Sequence, residues 1–291
     1  MRLVEVEAKS IITPSKLPTV DFVANPYTGC AFGCAYCYAS FMGRFVNESN
    51  TAWGEYLYVK TNAVELAARD LARLPDHKRL GTLLMSSVTD AYQGAERRYR
   101  LARGILGELL NVRYPGKVSI LTKSPIVTRD IDLLTQLPHS EVGMTVTTTD
   151  DKVSRWLEVR APVASRRLRT LAELNRAGVR TYAFVGPLLP HFATDPELLD
   201  TLLARIAEAG VPEVFVEHIN LKRYIRDRMS PVLRDEPPEV RTAYVDARSD
   251  AHRERLDAIV APLLAKHGLR LRMEKVIYHD ALTAEETLGA G

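Results

Sequence analysis

Three cysteines, Cys30, Cys34 and Cys37, are the only ones in the chain, and they share one window with the spacing C-x3-C-x2-C. Three thiolates at this pitch can wrap one loop around a 4Fe-4S cube, ligating three irons and leaving the fourth open to a small molecule. An iron with a free coordination position is a place for chemistry. The same thiols could hold a structural zinc ion with His218 as fourth ligand, although zinc sites usually present their ligands as separated pairs. A redox disulfide would use two of them and leave the third idle.

Such a loop has to be held by a fold. The chain has 291 residues, 46% of them hydrophobic, ample for a large core in one barrel-sized domain. With 39 basic and 36 acidic residues the net charge is +3, too small to require a nucleic-acid partner. Arginines do gather at Arg97, Arg98, Arg100 and Arg103, at Arg166, Arg167 and Arg169, and between Lys222 and Arg228. Clusters of this kind read as solvated helix faces. The odd cysteine count and the charged opening MRLVEVEAKSIITP argue for a reducing, cytoplasmic compartment and against a disulfide scaffold or secretory leader. No apolar run reaches the roughly 18–20 residues that span a bilayer, so no membrane association is expected.

Short apolar runs alternate with helical stretches, the pattern of parallel strands covered by helices. Strands are expected near 20–26, 81–87, 117–122, 141–147, 179–186 and 212–219. Leu168, Leu171 and Leu174 mark a helix over 166–177 that stops at Gly178. Thr194 with Glu197 predicts a capping box for a helix ending at Gly210, and Asn62 with Glu65 predicts another before the Ala-rich run to Leu74. One more helix is read over 92–110. Six βα units are fewer than the eight that close a parallel barrel, so the fold class is α/β, a partial (β/α)6 barrel with its reactive face at the C-terminal strand ends. The cysteine loop follows the first strand and belongs to that face. Residues 1–220 read as the core domain and 221–291 as a C-terminal extension packed on it. That extension comprises a long helix from Pro238 to His267, an extra strand RLRMEKVIYH and a frayed tail TAEETLGAG.

Within that frame, NPYTGCAFGCAYCYAS resembles the signature loop of the radical S-adenosylmethionine (radical SAM) enzymes, in the branch that includes spore photoproduct lyase. KSIITPSK ahead of it, SSVTDAYQGAE after the second strand, LTKS after the third, MTVTTTD at the fourth and GPLLP at the fifth resemble that branch in the same order, across residues 8–220.

The resemblance implies a 4Fe-4S cluster on Cys30, Cys34 and Cys37, with S-adenosylmethionine chelating the open iron through its amino and carboxylate groups. An electron from a carrier such as flavodoxin or ferredoxin would break the sulfonium bond. The resulting 5'-deoxyadenosyl radical would take a hydrogen atom from an organic substrate, a small molecule such as a nucleoside or a natural product. The resemblance sets Tyr36 beside the adenine, Asp90 with Thr89 at the methionyl ammonium and Lys123 at its carboxylate. Thr145 and Thr147, of one parity on the fourth strand, are set at the ribose, and Glu217 at substrate or ribose. Taken singly these residues have plainer roles: Asp90 as a helix cap, Lys123 as a strand-end surface charge, the threonines as ordinary strand formers.

In spore photoproduct lyase a tyrosine after the third cluster cysteine and a cysteine ending the second strand return hydrogen to the product radical. Tyr38 matches the tyrosine, but the cysteine position is Ser87. An alcohol O–H bond is too strong to give a hydrogen atom to a carbon radical. The alternative function, repair of a DNA lesion by that relay, therefore cannot end through Ser87. A third reading, an iron-sulfur carrier or sensor, conflicts with three cysteines, because carriers saturate the cluster with four.

Overall fold

The computed structural model describes residues 1–279. Its strands are β1 (Arg2–Val6), β2 (Ile12–Pro14), β3 (Phe22–Ala24), β4 (Tyr27–Thr28), β5 (Tyr56–Lys60), β6 (Leu83–Met85), β7 (Val118–Thr122), β8 (Ser140–Thr145), β9 (Thr181–Leu188), β10 (Glu213–His218) and β11 (Arg270–Leu271). β3, β6, β7, β8, β9 and β10 pair side by side, all parallel. β2 closes one edge antiparallel to β3, and β11 lies parallel to β10 at the other. The two edges are not paired with each other, so the six βα units form the open barrel that their number implies.

Alternation along the strands explains the layering. Ile120, Val142, Met144, Ala183, Val185, Val214 and Val216 are buried apolar residues of one parity and belong to the core beneath the helices. The other parity holds Ser119, Glu141, Gly143, Tyr182, Phe184, Gly186, Phe215 and Glu217, and these meet across the concave face. Tyr182 and Phe184 pack on Phe215 with ring centroids 5.5 and 5.7 Å apart. Toward the N-terminal strand ends Arg272 reaches over the Tyr182 ring, 4.6 Å from its centroid, and donates to both Glu141 oxygens at 3.1 and 3.0 Å. Lys117 pairs with the same carboxylate at 2.8 Å. A partly buried ion cluster thus plugs the floor.

Several boundaries differ from the sequence expectation. The first two barrel strands are only three residues long each. Pairing of β8 with β9 ends at Thr145, so Thr147 lies past the strand rather than on it. The helix over 164–176 ends before Gly178, whose φ of 80° is left-handed. Its successor is capped by Asp195, which accepts from Glu197 and Leu198 N–H (3.0 and 3.3 Å). Pro196 takes the first helical position, which moves the cap one residue beyond Thr194. Asn62 precedes its helix but bonds both backbone groups of Ala8 (3.0 Å each) instead of capping. The stretch 92–110 is broken at Arg100, at φ 52°. The long C-terminal helix is two, Pro238–Asp246 and Asp250–Lys266, divided where Ser249 caps the second. They follow a helix over Arg223–Leu233 that local pattern did not reveal. Of the extra strand only Arg270–Leu271 is regular, with one further bridge from Ile277 to Glu217; the tail TAEETLGAG lies outside the described residues.

A second sheet, β1-β5-β4, was not foreseen. β1 is exposed at Arg2, Leu3 and Glu5, so it lacked the apolar run that marks the barrel strands. Among the described residues no helix is long and apolar enough to cross a membrane.

Candidate active site

The cysteine loop begins where β4 turns at Gly29. Its φ is 92°, and a Cβ there would lie 2.6 Å from the Tyr56 carbonyl oxygen, so only glycine fits. Turns follow at once: Gly33 N–H donates to the Cys30 carbonyl (3.3 Å) and Cys37 N–H to the Cys34 carbonyl (3.2 Å). Three distant elements clamp the loop. Gln93, fully buried, accepts from Ala31 N–H at 2.7 Å. Ala35 N–H donates to the Leu157 carbonyl at 2.8 Å. Arg228, from the C-terminal extension, donates to the carbonyls of Cys34 (2.8 Å), Ala35 (3.3 Å) and Asn50 (2.7 Å).

The donor set fits an iron-sulfur cluster. Cys30 and Cys34 are buried and Cys37 half-buried. Burial, then Asp90 and the other two sulfurs, push the Cys30 thiol up; burial lifts Cys34 to about 12. Thiols in this setting stay protonated until a metal takes the proton's place. His218 does not join them: it sits on the opposite parity of β10, its ring 5.3 Å from that of His252 and 5.4 Å from that of Tyr278. The zinc alternative thereby loses its fourth ligand. Among the described residues no group of three or more His, Cys, Asp and Glu side chains converges to hold a single metal ion.

Around the loop the fold gathers most of the residues singled out by sequence. Lys123 extends from the end of β7 until its ammonium is 5.7 Å from the Tyr36 ring centroid. Burial pulls its pKa down, but the sulfur of Cys34 and the carboxylate of Glu158 more than offset this and leave it raised. Asp90 accepts from Thr122 Oγ1 (2.7 Å), Tyr92 N–H (2.9 Å) and Lys123 N–H (2.8 Å). It does not cap a helix, since turns follow it and the first helix of that stretch begins only at Glu96; it ties the turn at Tyr92 to the backbone from which Lys123 projects. Thr89 donates to the Gly29 carbonyl at 2.6 Å. Tyr38 donates its hydroxyl to the Ser87 carbonyl, while Ser87 Oγ accepts from Asn25 at 2.9 Å. Glu217 is paired with His279 (2.9 Å) and stands near enough to Tyr38 to help raise its pKa, behind burial and Cys37. Thr145 and Thr147 are both buried.

Sequence reasoning missed the charged network beneath the loop. Tyr36 donates its hydroxyl to Glu158, which is ion-paired with Arg167, and Ser154 donates to the same carboxylate at 2.9 Å. Both charges are sealed from solvent, at 1% and 0% exposure. Arg167 also donates to the carbonyls of Pro162 (2.6 Å) and Thr145 (3.2 Å). It was read as part of a solvated helix face, which the structure corrects. The signal was available: Ala164, Arg167, Leu168, Leu171 and Leu174 form one helical stripe, and the arginine lies on its apolar side.

A partial parallel barrel carrying a three-cysteine loop and a lysine at its C-terminal strand ends has the donors to hold an iron-sulfur cluster. The family model for the radical SAM superfamily matches residues 24–204. The chain belongs to the radical SAM superfamily, whose members use a 4Fe-4S cluster and S-adenosylmethionine. It is 34% identical to the uncharacterized protein MJ0683 of Methanocaldococcus jannaschii over 190 residues, 65% of this chain and 69% of the relative. It is 32% identical to the uncharacterized protein Rv2578c of Mycobacterium tuberculosis over 259 residues, 85% and 75% of the two chains. Among solved structures, spore photoproduct lyase complexed with dinucleoside spore photoproduct superposes with a TM-score of 0.65 at 13% identity, covering 94% of this chain and 82% of that one. SuiB of Streptococcus suis bound to S-adenosylmethionine superposes with a TM-score of 0.51 at 13% identity, covering 89% and 47%. At such identities these likenesses establish the fold.

Proposed function

We propose that this radical SAM enzyme abstracts hydrogen from an organic substrate of small or medium size, a nucleoside or a biosynthetic intermediate, held over the concave face of the barrel. The observation that carries this is the meeting of the three thiols with one another, and of Cys34 and Cys37 with the Lys123 ammonium, at the C-terminal strand ends. When bound, the cluster and S-adenosylmethionine supply the 5'-deoxyadenosyl radical. Cys30, Cys34 and Cys37 hold three irons. Lys123 pairs with the methionyl carboxylate as a point charge. Asp90 has about four lone-pair sites, three of them engaged, and offers the remaining one, with Thr89, to the ammonium. Tyr36, immobilised through Glu158 and Arg167, flanks the adenine. Thr145 and Thr147 face the ribose, and Glu217 orients substrate at the mouth. Phe184, Phe215 and Leu121 line the barrel interior with apolar surface that excludes water from a reactive species.

Anaerobically reconstituted protein, reduced with dithionite, is expected to convert S-adenosylmethionine to 5'-deoxyadenosine. Absence of cleavage by protein carrying a full cluster sinks the proposal. Adding candidate substrates and watching for substrate-dependent 5'-deoxyadenosine narrows the substrate class.

Repair of a DNA lesion is the second reading, and the fold of spore photoproduct lyase is what favours it. Its hydrogen-return relay requires a thiol at position 87. Tyr38 donates its hydroxyl to the Ser87 carbonyl, yet the Ser87 side chain is only an alcohol. A reaction of this chain closes by another route, such as elimination, rearrangement or return of hydrogen from 5'-deoxyadenosine.

A further inference from the structure

Away from the concave face the fold assembles a cationic cleft from arginines far apart in sequence. It encloses about 690 Å³ between the residues that follow β6, the segment after β7 and the helix over 164–176. Arg97, Arg100, Arg166 and Arg169 line it, and all four are exposed. None of them is ion-paired among the described residues, whereas neighbouring Arg129 is bound to Glu96 (2.9 Å) and Asp130 (2.7 Å). Glu173 is the one acid on the wall. Like charges gathered without partners raise a local positive potential that draws an anionic surface.

The cleft continues through Arg97, Pro125, Ile126 and Arg166 into a recess of about 380 Å³, and that recess is lined by Ala31 and Phe32. The basic surface therefore ends on the cysteine loop itself, on the residues between Cys30 and Cys34. Glu217, which the proposed function assigns to substrate, lines neither the cleft nor the recess, and nor do Tyr38 and Ser87.

We propose that this cleft is the docking surface of an acidic one-electron carrier protein, which passes its electron to the cluster across the Ala31–Phe32 edge of the loop. The proposal rests on the reading of the three cysteines as cluster ligands. One electron leaves the carrier's reduced centre, oxidising it by one, and enters the 4Fe-4S cluster, reducing it by one. No proton or bond moves. A polyanionic nucleic acid would satisfy the arginines but gains nothing from a site that terminates on the cluster loop and not at the barrel mouth.

The test uses the cluster-loaded enzyme, an acidic 2Fe-2S ferredoxin and the double variant Arg97→Glu, Arg166→Glu, with the double variant Arg98→Glu, Arg248→Glu, two exposed positions outside the cleft, as a charge-matched control. Calorimetric titration is expected to show ferredoxin affinity falling about tenfold or more in the double variant, as for reversed charges at a complementary interface. Affinity in the unaltered enzyme should weaken as salt rises. The control should bind as the unaltered enzyme does. Cluster reduction by reduced ferredoxin, followed by electron paramagnetic resonance, should slow in the double variant, while reduction by dithionite is unchanged. Equal ferredoxin affinity in the unaltered and double-variant enzymes overturns the proposal. So does a preference for a duplex oligonucleotide, lost with the same two arginines, in an enzyme that binds no ferredoxin. Failure of dithionite to support S-adenosylmethionine cleavage in the unaltered enzyme instead overturns the underlying assignment, so the two failures are distinguishable.

Discussion

Arg166 and Arg167 are joined by one peptide bond on one helix, yet the first stands in water on the rim of the cationic cleft and the second is sealed against Glu158 beneath the cysteine loop. A helix turns about 100° per residue, so adjacent side chains are delivered to different surroundings. The buried arginine cannot be free, because an uncompensated charge away from water is costly, and it is surrounded by acceptors from Glu158, Ser154, Pro162 and Thr145. The exposed one need not be paired, because water screens it. Burial turns one guanidinium into scaffolding for Tyr36 and leaves the other available for recognition.

The strongest way to break this comparison is Arg167→Leu. It strands the Glu158 carboxylate inside the protein, and a loss of about 3–5 kcal/mol is expected for one removed partner of a buried pair, measured by anaerobic denaturant unfolding. If Arg166→Leu destabilised as much, the distinction between the two positions would collapse. Next in size is Arg228→Ala, which deletes three charge-assisted bonds from a half-buried side chain, two to the cysteine loop at Cys34 and Ala35 and one to Asn50. About 1–3 kcal/mol is expected from such bonds, together with faster loss of iron-sulfur absorbance to a chelator.

A smaller effect sharpens the comparison at the barrel floor. Glu141 is partly desolvated, which raises its pKa, but Arg272 and Lys117 outweigh burial and hold it below the ordinary value. A carboxylate with a depressed folded-state pKa contributes stability that is complete above its unfolded value, about 4.3, and is lost as pH falls through the folded one. Unfolding free energy should therefore drop on acidification below that point, and Glu141→Gln should flatten this limb. The smallest expected effect is Arg169→Ala, at an exposed position without an ion pair among the described residues, with no change in the unfolding midpoint. Ser87→Cys, also mild in stability, adds a thiol beside Tyr38; rapid trapping of the product radical, seen as deuterium uptake from solvent into product, would show that position 87 faces the reacting carbon.

Much of the site was legible because its chemistry is local. The cysteines, Tyr36 and Tyr38 lie on one stretch, and Ser87, Thr89, Asp90 and Lys123 lie in the segments that follow β6 and β7, strands whose apolar runs are visible. Asp90 was legible as a charged residue near the site but not as the tie between the loop after β6 and the backbone of Lys123. Arg228 was read only as part of a basic stretch, and its three carbonyl partners appeared only in the fold. The edge sheet on β5 was hidden because β1 keeps too little apolar surface to alternate clearly.

By itself, the sequence determined that three thiols share one short loop and how many βα units surround it. Both are carried by short covalent spacings and by the two-residue period of strands, which survive without knowledge of anything distant. Only the tertiary structure decided what meets what. Tyr36 and Glu158 are 122 residues apart, Arg228 and Cys34 are 194 apart, and the arginines of the cleft come from separate βα units. Such contacts depend on how helices pack across the sheet after long loops have closed, and no local pattern encodes that geometry.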